Sequence, residues 1–319
     1  MADGSSEFLP FSNLRIGHAH DMRVRTGVTV ILPDRASLCA VDVRGGAPGT
    51  RETDTLAPGG LVDRVHAIVL AGGSVYGLGA ADAVCRELGA QGIGFVAGRP
   101  PIPVSPIVPS AILFDNANGG DKDWGTSPPY QRLGSEAFAA ASGETGEGAI
   151  GAGYGATAGI YPGGFGMATE TVGEATVCAL IAANPVGSPF LPGTAVPHAW
   201  IYERDGEFGR LTPPADYRWS PPMDTKLSFL AQAGQNTVIG AVVTDAALST
   251  SDLNRLAIMA QDGLALSVQP SHTPLDGDTI FALSIGEMEL SGPGELSQLG
   301  SAAARAVARA LTRGVLAAR

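Results

Sequence analysis

The order of the apolar runs narrows the possible folds more than any other feature of this chain. Residues 26–32 (TGVTVIL), 37–43 (SLCAVDV), 65–70 (VHAIVL), 237–244 (TVIGAVVT) and 278–285 (DTIFALSI) are short and β-rich, and each is bounded by Gly, Pro or Asp. They read as strands, the first two around the turn Pro33-Asp34-Arg35. Residues 169–183 give one or two more, ending at Asn184-Pro185, and residues 200–203 another. Residues 102–114 read as extended, with prolines marking an edge or a loop. Helical patterns fall between the strands at irregular places. One follows Ala71-Gly72-Gly73 to about Leu88, and one covers 132–141. A third runs from the cap Ser249-Thr250-Ser251-Asp252 to about Gln261, and the last covers about 295–317. No regular βαβ alternation and no fixed-period repeat appears. The order therefore predicts an α+β or layered α/β architecture and argues against a doubly wound sheet.

Composition supports a packed domain. Hydrophobic residues make up 45% and charged residues 16% of the chain, the reverse of a disordered composition. The 44 glycines follow no three-residue period, which excludes collagen. A length of 319 residues allows one large domain or two ordinary ones. The net charge of −11 repels a phosphate backbone and argues against general nucleic-acid binding. Basic residues are 18 Arg against two Lys, Lys122 and Lys226, a bias that reads first as GC-rich coding. Cys39, Cys85 and Cys178 lie far apart in apolar stretches and read as buried thiols of a cytosolic protein. The start shows no signal-peptide pattern, and no segment approaches membrane-spanning length, so a cytoplasmic location is expected. Arg305, Arg309 and Arg313, at four-residue spacing, predict a solvated stripe on the last helix.

Several local patterns carry possible chemistry. Gly72-Gly73-x-x-x-Gly77 between a strand and a helix fails the dinucleotide spacing, and no Walker Gly-Lys-Ser/Thr exists. It reads as a tight turn whose N–H groups are free to hold an anion or an oxyanion. His18-x-His20 lacks a third ligand, so a metal site is the minority reading. On spacing alone, Asp276-Gly277-Asp278 reads as a hairpin turn with two solvated carboxylates. Its functional alternative is a fixed pair that orients a nucleophile and its base. Thr237 opens a buried strand after a loose, Pro-rich stretch (205–236) expected at the surface. An ordinary β-branched strand start explains it. The alternative is an N-terminal nucleophile, exposed when the chain cuts itself, with the freed α-amine as base.

These patterns become specific together. The stretch 234–290 (GQNTVIGAVVTDAALSTSDLNRLAIMAQDGLALSVQPSHTPLDGDTIFALSIGEMEL) closely resembles the C-terminal part of the self-cleaving amidases. These are the N-terminal-nucleophile family of nylon-oligomer endo-hydrolases and, more distantly, β-peptidyl and D-stereospecific aminopeptidases. Val41-Asp42-Val43-Arg44-Gly45-Gly46-Ala47-Pro48-Gly49, Leu70-Ala71-Gly72-Gly73-Ser74-Val75-Tyr76-Gly77, Gly151-Ala152-Gly153-Tyr154-Gly155-Ala156-Thr157 and Ala183-Asn184-Pro185-Val186-Gly187 match as well, over roughly residues 12–312.

The resemblance implies a four-layer αββα sandwich formed by a single domain. It implies autocleavage between Asn236 and Thr237 into chains of residues 1–236 and 237–319. The family's nucleophile maps onto Thr237, its acidic pair onto Asp276 and Asp278, and its site Asn onto Asn184. Asn184 would stabilise the oxyanion or hold the amine. Tyr76, with Gly72 and Gly73, would line the substrate cleft. Neither cofactor nor metal is implied, and αβ units would assemble into a homotetramer without nucleic-acid or membrane partners. The substrates implied are small amides such as 6-aminohexanoate oligomers. A peptide-trimming aminopeptidase and an inactive relative acting as a binding module are the alternatives. The nylon-oligomer enzymes carry a site Lys after the Gly-rich segment. Here the matching residue is Ile160, and both lysines lie outside the matching motifs.

Overall fold

The structure, a computed structural model, describes residues 6–229 and 236–319. In chain order the principal strands are β1 (Leu14–Asp21), β2 (Thr26–Pro33), β3 (Ser37–Val43), β4 (Thr50–Arg51), β5 (Arg64–Val65), β6 (Ile68–Ala71), β7 (Ser110–Ile112), β8 (Gly164–Val172), β9 (Ala175–Asn184), β10 (Thr237–Ala246) and β11 (Thr279–Met288). The helices are α1 (Gly79–Ala90), α2 (Tyr130–Ala139), α3 (Thr250–Ala260), α4 (Asp262–Ser267) and α5 (Pro293–Ala317). One sheet has six strands in the order β8-β9-β10-β11-β3-β5, and the other has five in the order β1-β2-β6-β7-β4.

Period-two alternation explains how the layers form. Along β10, Val238 and Val242 face α3 and α5 in a cluster with Leu256, Ile280 and Leu311. Ile239, Ala241 and Val243 face the other way and meet Ile31, Leu70, Leu180 and Phe281 between the sheets. On the far side, Val30 and Val69 pack against Val84 of α1 and Leu133 of α2. The result is the αββα sandwich that the resemblance implies. By the same alternation, Thr237 stands on the face of β10 that looks into the space between the sheets.

Glycine sets how closely α5 lies on its sheet. A Cβ on Gly166 would stand 2.1 Å from the Ala310 carbonyl oxygen, and one on Gly314 would stand 2.7 Å from the Phe165 carbonyl carbon. The helix backbone therefore rests on β8 with nothing between them.

Four expectations change. The Pro33-Asp34-Arg35 turn closes no hairpin but carries the chain from the five-stranded sheet into the six-stranded one. The run 65–70 splits at His66-Ala67, and its halves join opposite sheets. The stretch at Trp200 is a 3-10 turn (His198–Tyr202) started by Pro197, whose ring fixes φ. The arginines of α5 do not form a solvated stripe, since all three are ion-paired and Arg305 and Arg313 are partly buried. Arg309 is only 6% exposed, because acids from β8 and from the Glu203–Glu207 loop face it. Among the described residues no helix is long and apolar enough to cross a membrane.

Candidate active site

Strand register builds the site. In the antiparallel β9–β10 ladder Asn184 lies directly opposite Thr237, so both side chains share the face between the sheets. β11 runs parallel to β10, with Thr279 opposite Ile239, and the residues leading into it, Asp276–Asp278, therefore arrive beside the start of β10. A further parallel bridge pairs Asn236 with Asp276. Three strand ends thus bring Asn184, Asn236, Thr237, Asp276 and Asp278 together, and each is at most 4% exposed.

The hairpin-turn reading of Asp276-Gly277-Asp278 is therefore wrong. The segment precedes a parallel strand, and both carboxylates are 1% exposed. Backbone N–H groups and side chains hold them. Asp276 accepts from the Val186 N–H (3.1 Å), the Thr273 N–H (2.9 Å) and the Thr273 hydroxyl (2.6 Å). Asp278 accepts from the Val238 N–H at 2.8 Å and the His272 N–H at 3.1 Å, and its Oδ2 lies 2.8 Å from His272 Nδ1. Burial raises the Asp276 carboxyl above the ordinary range, and the Asp278 charge beside it acts in the same direction.

The Asn236–Thr237 peptide lies against this pair. The Thr237 hydroxyl contacts the Asn236 carbonyl oxygen. The Gly277 N–H donates to that same oxygen at 2.9 Å and lies 3.2 Å from Thr237 Oγ1. A hydroxyl beside a carbonyl whose oxygen already accepts an N–H bond is an arrangement suited to acyl transfer.

Sequence reasoning missed Lys226, which enters from the Pro-rich segment that it had placed at the surface. Its ammonium donates to the Asn184 backbone carbonyl and to Asn184 Oδ1, both at 3.1 Å. Asp224, two residues earlier, fixes this approach by accepting from the Tyr161 hydroxyl (2.9 Å) and the Ser188 hydroxyl (2.6 Å). Burial pushes the ammonium down to about 7, against the upward pull of Asp276. With the Thr157 N–H also on Oδ1 at 2.9 Å and Nδ2 donating to the Phe114 carbonyl at 2.9 Å, the Asn184 amide has a single orientation. No motif marks Lys226; the only hint in the sequence is the scarcity of lysine. Gly277, passed over as the spacer between two acids, was missed as well. A Cβ there would stand 2.8 Å from Thr237 Oγ1 and 2.7 Å from the Ala47 carbonyl oxygen.

Other candidates fall elsewhere. The Gly72 and Gly73 N–H groups are already committed, to the Gly27 carbonyl (2.9 Å) and to Asp115 Oδ1 (2.8 Å), so the turn offers them to no anion. Tyr76 is half-exposed, lies edge-on to Trp124 and lines a separate cavity of about 370 Å³ with Tyr130 and Gln131. Ile160 is exposed, and its N–H donates to the Asp224 carbonyl. His18 lies between the hydroxyls of Thr29 (2.9 Å) and Thr145 (2.8 Å), and His20 stacks on Tyr154. Among the described residues no acid, His or Cys cluster has the make-up of a metal site.

Comparison with known proteins gives the family and the fold. Residues 11–319 match Peptidase family S58. A Mycobacterium tuberculosis protein named as an uncharacterized aminopeptidase is 42% identical over 91% of this chain and 85% of its own. The 6-aminohexanoate-oligomer endohydrolase of Paenarthrobacter ureafaciens is 32% identical over 88% of this chain and 75% of its own. The L-aminopeptidase D-Ala-esterase/amidase from Ochrobactrum anthropi, described as a variant of the Ntn hydrolase fold, superposes with a TM-score of 0.70 over 97% of this chain and 85% of its own, at 22% identity.

Proposed function

The chain belongs to Peptidase family S58, and from that premise we propose that this amide-bond hydrolase cuts itself before Thr237 and then uses Thr237 as an N-terminal nucleophile on small linear amides. The observation that carries the reading is the Thr237 hydroxyl resting on the Asn236 carbonyl while Gly277 donates to the same oxygen. In maturation, Oγ attacks the Asn236 carbonyl carbon, the C–N bond breaks, and the hydroxyl proton ends on the departing nitrogen. Water then opens the ester, releasing the Asn236 carboxylate and leaving Thr237 with a free α-amine. In turnover that amine takes the Oγ proton as the substrate amide is attacked and gives it to the leaving amine. A second water closes the cycle.

Each neighbour has a role in this scheme. Asp278 and Asp276 hold the hydroxyl and the new α-ammonium. Asn184 presents its amide, and Lys226 fixes its orientation by donating to Oδ1, which leaves Nδ2 to donate to the Phe114 carbonyl. Lys226 thereby supplies, from another place in the chain, a cation where residue 160 is Ile. The substrates expected are ω-amino-acid oligomers of the 6-aminohexanoate type. Short peptides are the second reading, favoured by the higher identity to relatives named aminopeptidase. On a denaturing gel the purified protein should run as two pieces, whereas Thr237→Ala should stay at full length and hydrolyse no amide. A Thr237→Ala protein that still splits would overturn the reading.

A further inference from the structure

Asp278 joins two parts of the site. Its Oδ1 accepts from the Val238 N–H at 2.8 Å, in the strand that Thr237 opens. Its Oδ2 accepts from the His272 N–H at 3.1 Å and lies 2.8 Å from His272 Nδ1. A carboxylate only accepts, so Nδ1 carries the hydrogen and Nε2 is the atom that gains or loses a proton. The Asp278 side chain is 2% exposed and that of His272 24%, so the ring is the end of the pair that meets solvent. In the scheme for maturation and turnover this ring has no task.

We propose that His272 is a positioning residue for the chemistry at Thr237. Through Asp278 it holds the acid pair against β10, and by taking a proton at Nε2 it keeps that carboxylate ionised as the solution turns acid. The proposal rests on Thr237 being the nucleophile and adds a control on the same site. Donors on both oxygens fix the plane of the Asp278 carboxylate. An imidazolium this close favours the ionised acid, as opposite charges within about 4–6 Å do. The pair has need of it, since burial and the Asp278 charge both raise the Asp276 carboxyl. The other charged groups around the pair do not replace the ring. Lys226 acts on Asp276 but is bonded to Asn184. Arg44 donates its N–H to the Asp278 backbone carbonyl at 2.9 Å and turns its guanidinium to Asp42 at 2.6 Å.

The ring is held in place by its surroundings. His272 has φ of +53°, in the left-handed region that His and Asn enter more readily than most residues. Its neighbour Thr273 is tied to Asp276 by its N–H and by its hydroxyl. The Thr273 carbonyl accepts from the Gly46 N–H at 3.2 Å, and a Cβ on Gly46 would stand 2.7 Å from Pro274 Cα. Residues 272–274 are thus pressed between the acid pair and the Gly45-Gly46 turn, and the imidazole keeps its place on Asp278.

Self-cleavage tests this role without a substrate. Full-length chain is made by cell-free synthesis, and its splitting is followed on denaturing gels from about pH 5 to pH 8, the range in which histidine changes charge. Wild type is compared with His272→Asn and His272→Ala. Asparagine places an N–H where Nδ1 stands, tolerates the left-handed backbone and takes no charge, whereas alanine offers no donor. At the top of the range only the hydrogen bond counts, and His272→Ala should be slower than His272→Asn by about tenfold or more. Lower in the range His272→Asn should lose rate before wild type does, its acid limb lying higher by about one pH unit or more. Equal rates for the two variants at the top of the range would overturn the proposal. So would acid limbs of wild type and His272→Asn that coincide, because a merely structural role scales the rate equally at every pH. Thr237→Ala separates the two assignments. If that variant still splits, the nucleophile falls; if it is inert while the limbs coincide, only the role of His272 falls.

Discussion

The charge cluster under α5 and the one at the start of β10 are both buried, and they are built by opposite rules. Under α5, acids meet arginines. Arg309 holds Glu207 with two bonds (2.6 and 3.0 Å) and Glu170 at 2.7 Å, while Glu170, 1% exposed, also pairs with Arg204 and Arg305. Arg313 closes the network on Glu147 at 3.0 Å and on Glu7. At the start of β10, two acids equally buried are held by backbone N–H groups, a threonine hydroxyl and His272, with no arginine on either among the described residues. The first cluster is balanced as it stands and fastens a helix to a sheet. The second keeps its carboxylates desolvated, with Lys226 bonded to the neighbouring Asn184 and to neither carboxylate, and in the proposed mechanism self-cleavage adds the Thr237 α-amine beside them.

That contrast can be broken at several points. Arg309→Met should cost about 3–5 kcal/mol in chemical denaturation, since it strands Glu170 and Glu207, and should leave self-cleavage intact. A loss below about 1 kcal/mol would mean the network is not the fastening described. Asp278→Asn should do the reverse, slowing cleavage and turnover by about 10²–10³ while moving the denaturation midpoint little. His18 offers a third arrangement, a neutral ring between two hydroxyls. Burial pushes it down to about 4 from 6.5. The unfolded state therefore binds the proton more readily, so stability is full above pH 6.5 and falls as pH drops toward 4. The loss should approach about 3 kcal/mol and vanish in His18→Gln. Lys226→Met should slow turnover by about tenfold or more, and less so in an Asn184→Ala background, because Lys226 acts through that amide. Independent, multiplying effects would remove it from the site. Tyr76→Ala should change KM by less than about tenfold with stability unaltered, as its exposed ring suggests.

Much of this was readable from the residues. The short β-rich runs placed β2, β3, β10 and β11, and the spaced motifs pointed to Asn184, Thr237, Asp276 and Asp278 as one constellation. What stayed hidden depends on long-range partners. Arg309 reads as a surface residue until Glu170 and Glu207, more than a hundred residues away, are placed against it. Lys226 sits among prolines with no local signal, and the ties of Asp224 to Tyr161 and Ser188, with the Lys226 N–H on the Val186 carbonyl, turn it inward. The Asp276-Gly277-Asp278 turn looked solvated because sequence spacing cannot distinguish a hairpin tip from the entry to a parallel strand.

The most direct test of the central claim, that Thr237 opens its own peptide bond, is the intact mass of the purified protein beside that of Thr237→Ala. The account predicts two species from the wild type, matching residues 1–236 and 237–319, and one full-length species from the variant. A wild type that remains one chain after prolonged incubation, or a variant that splits at the same bond, would contradict it.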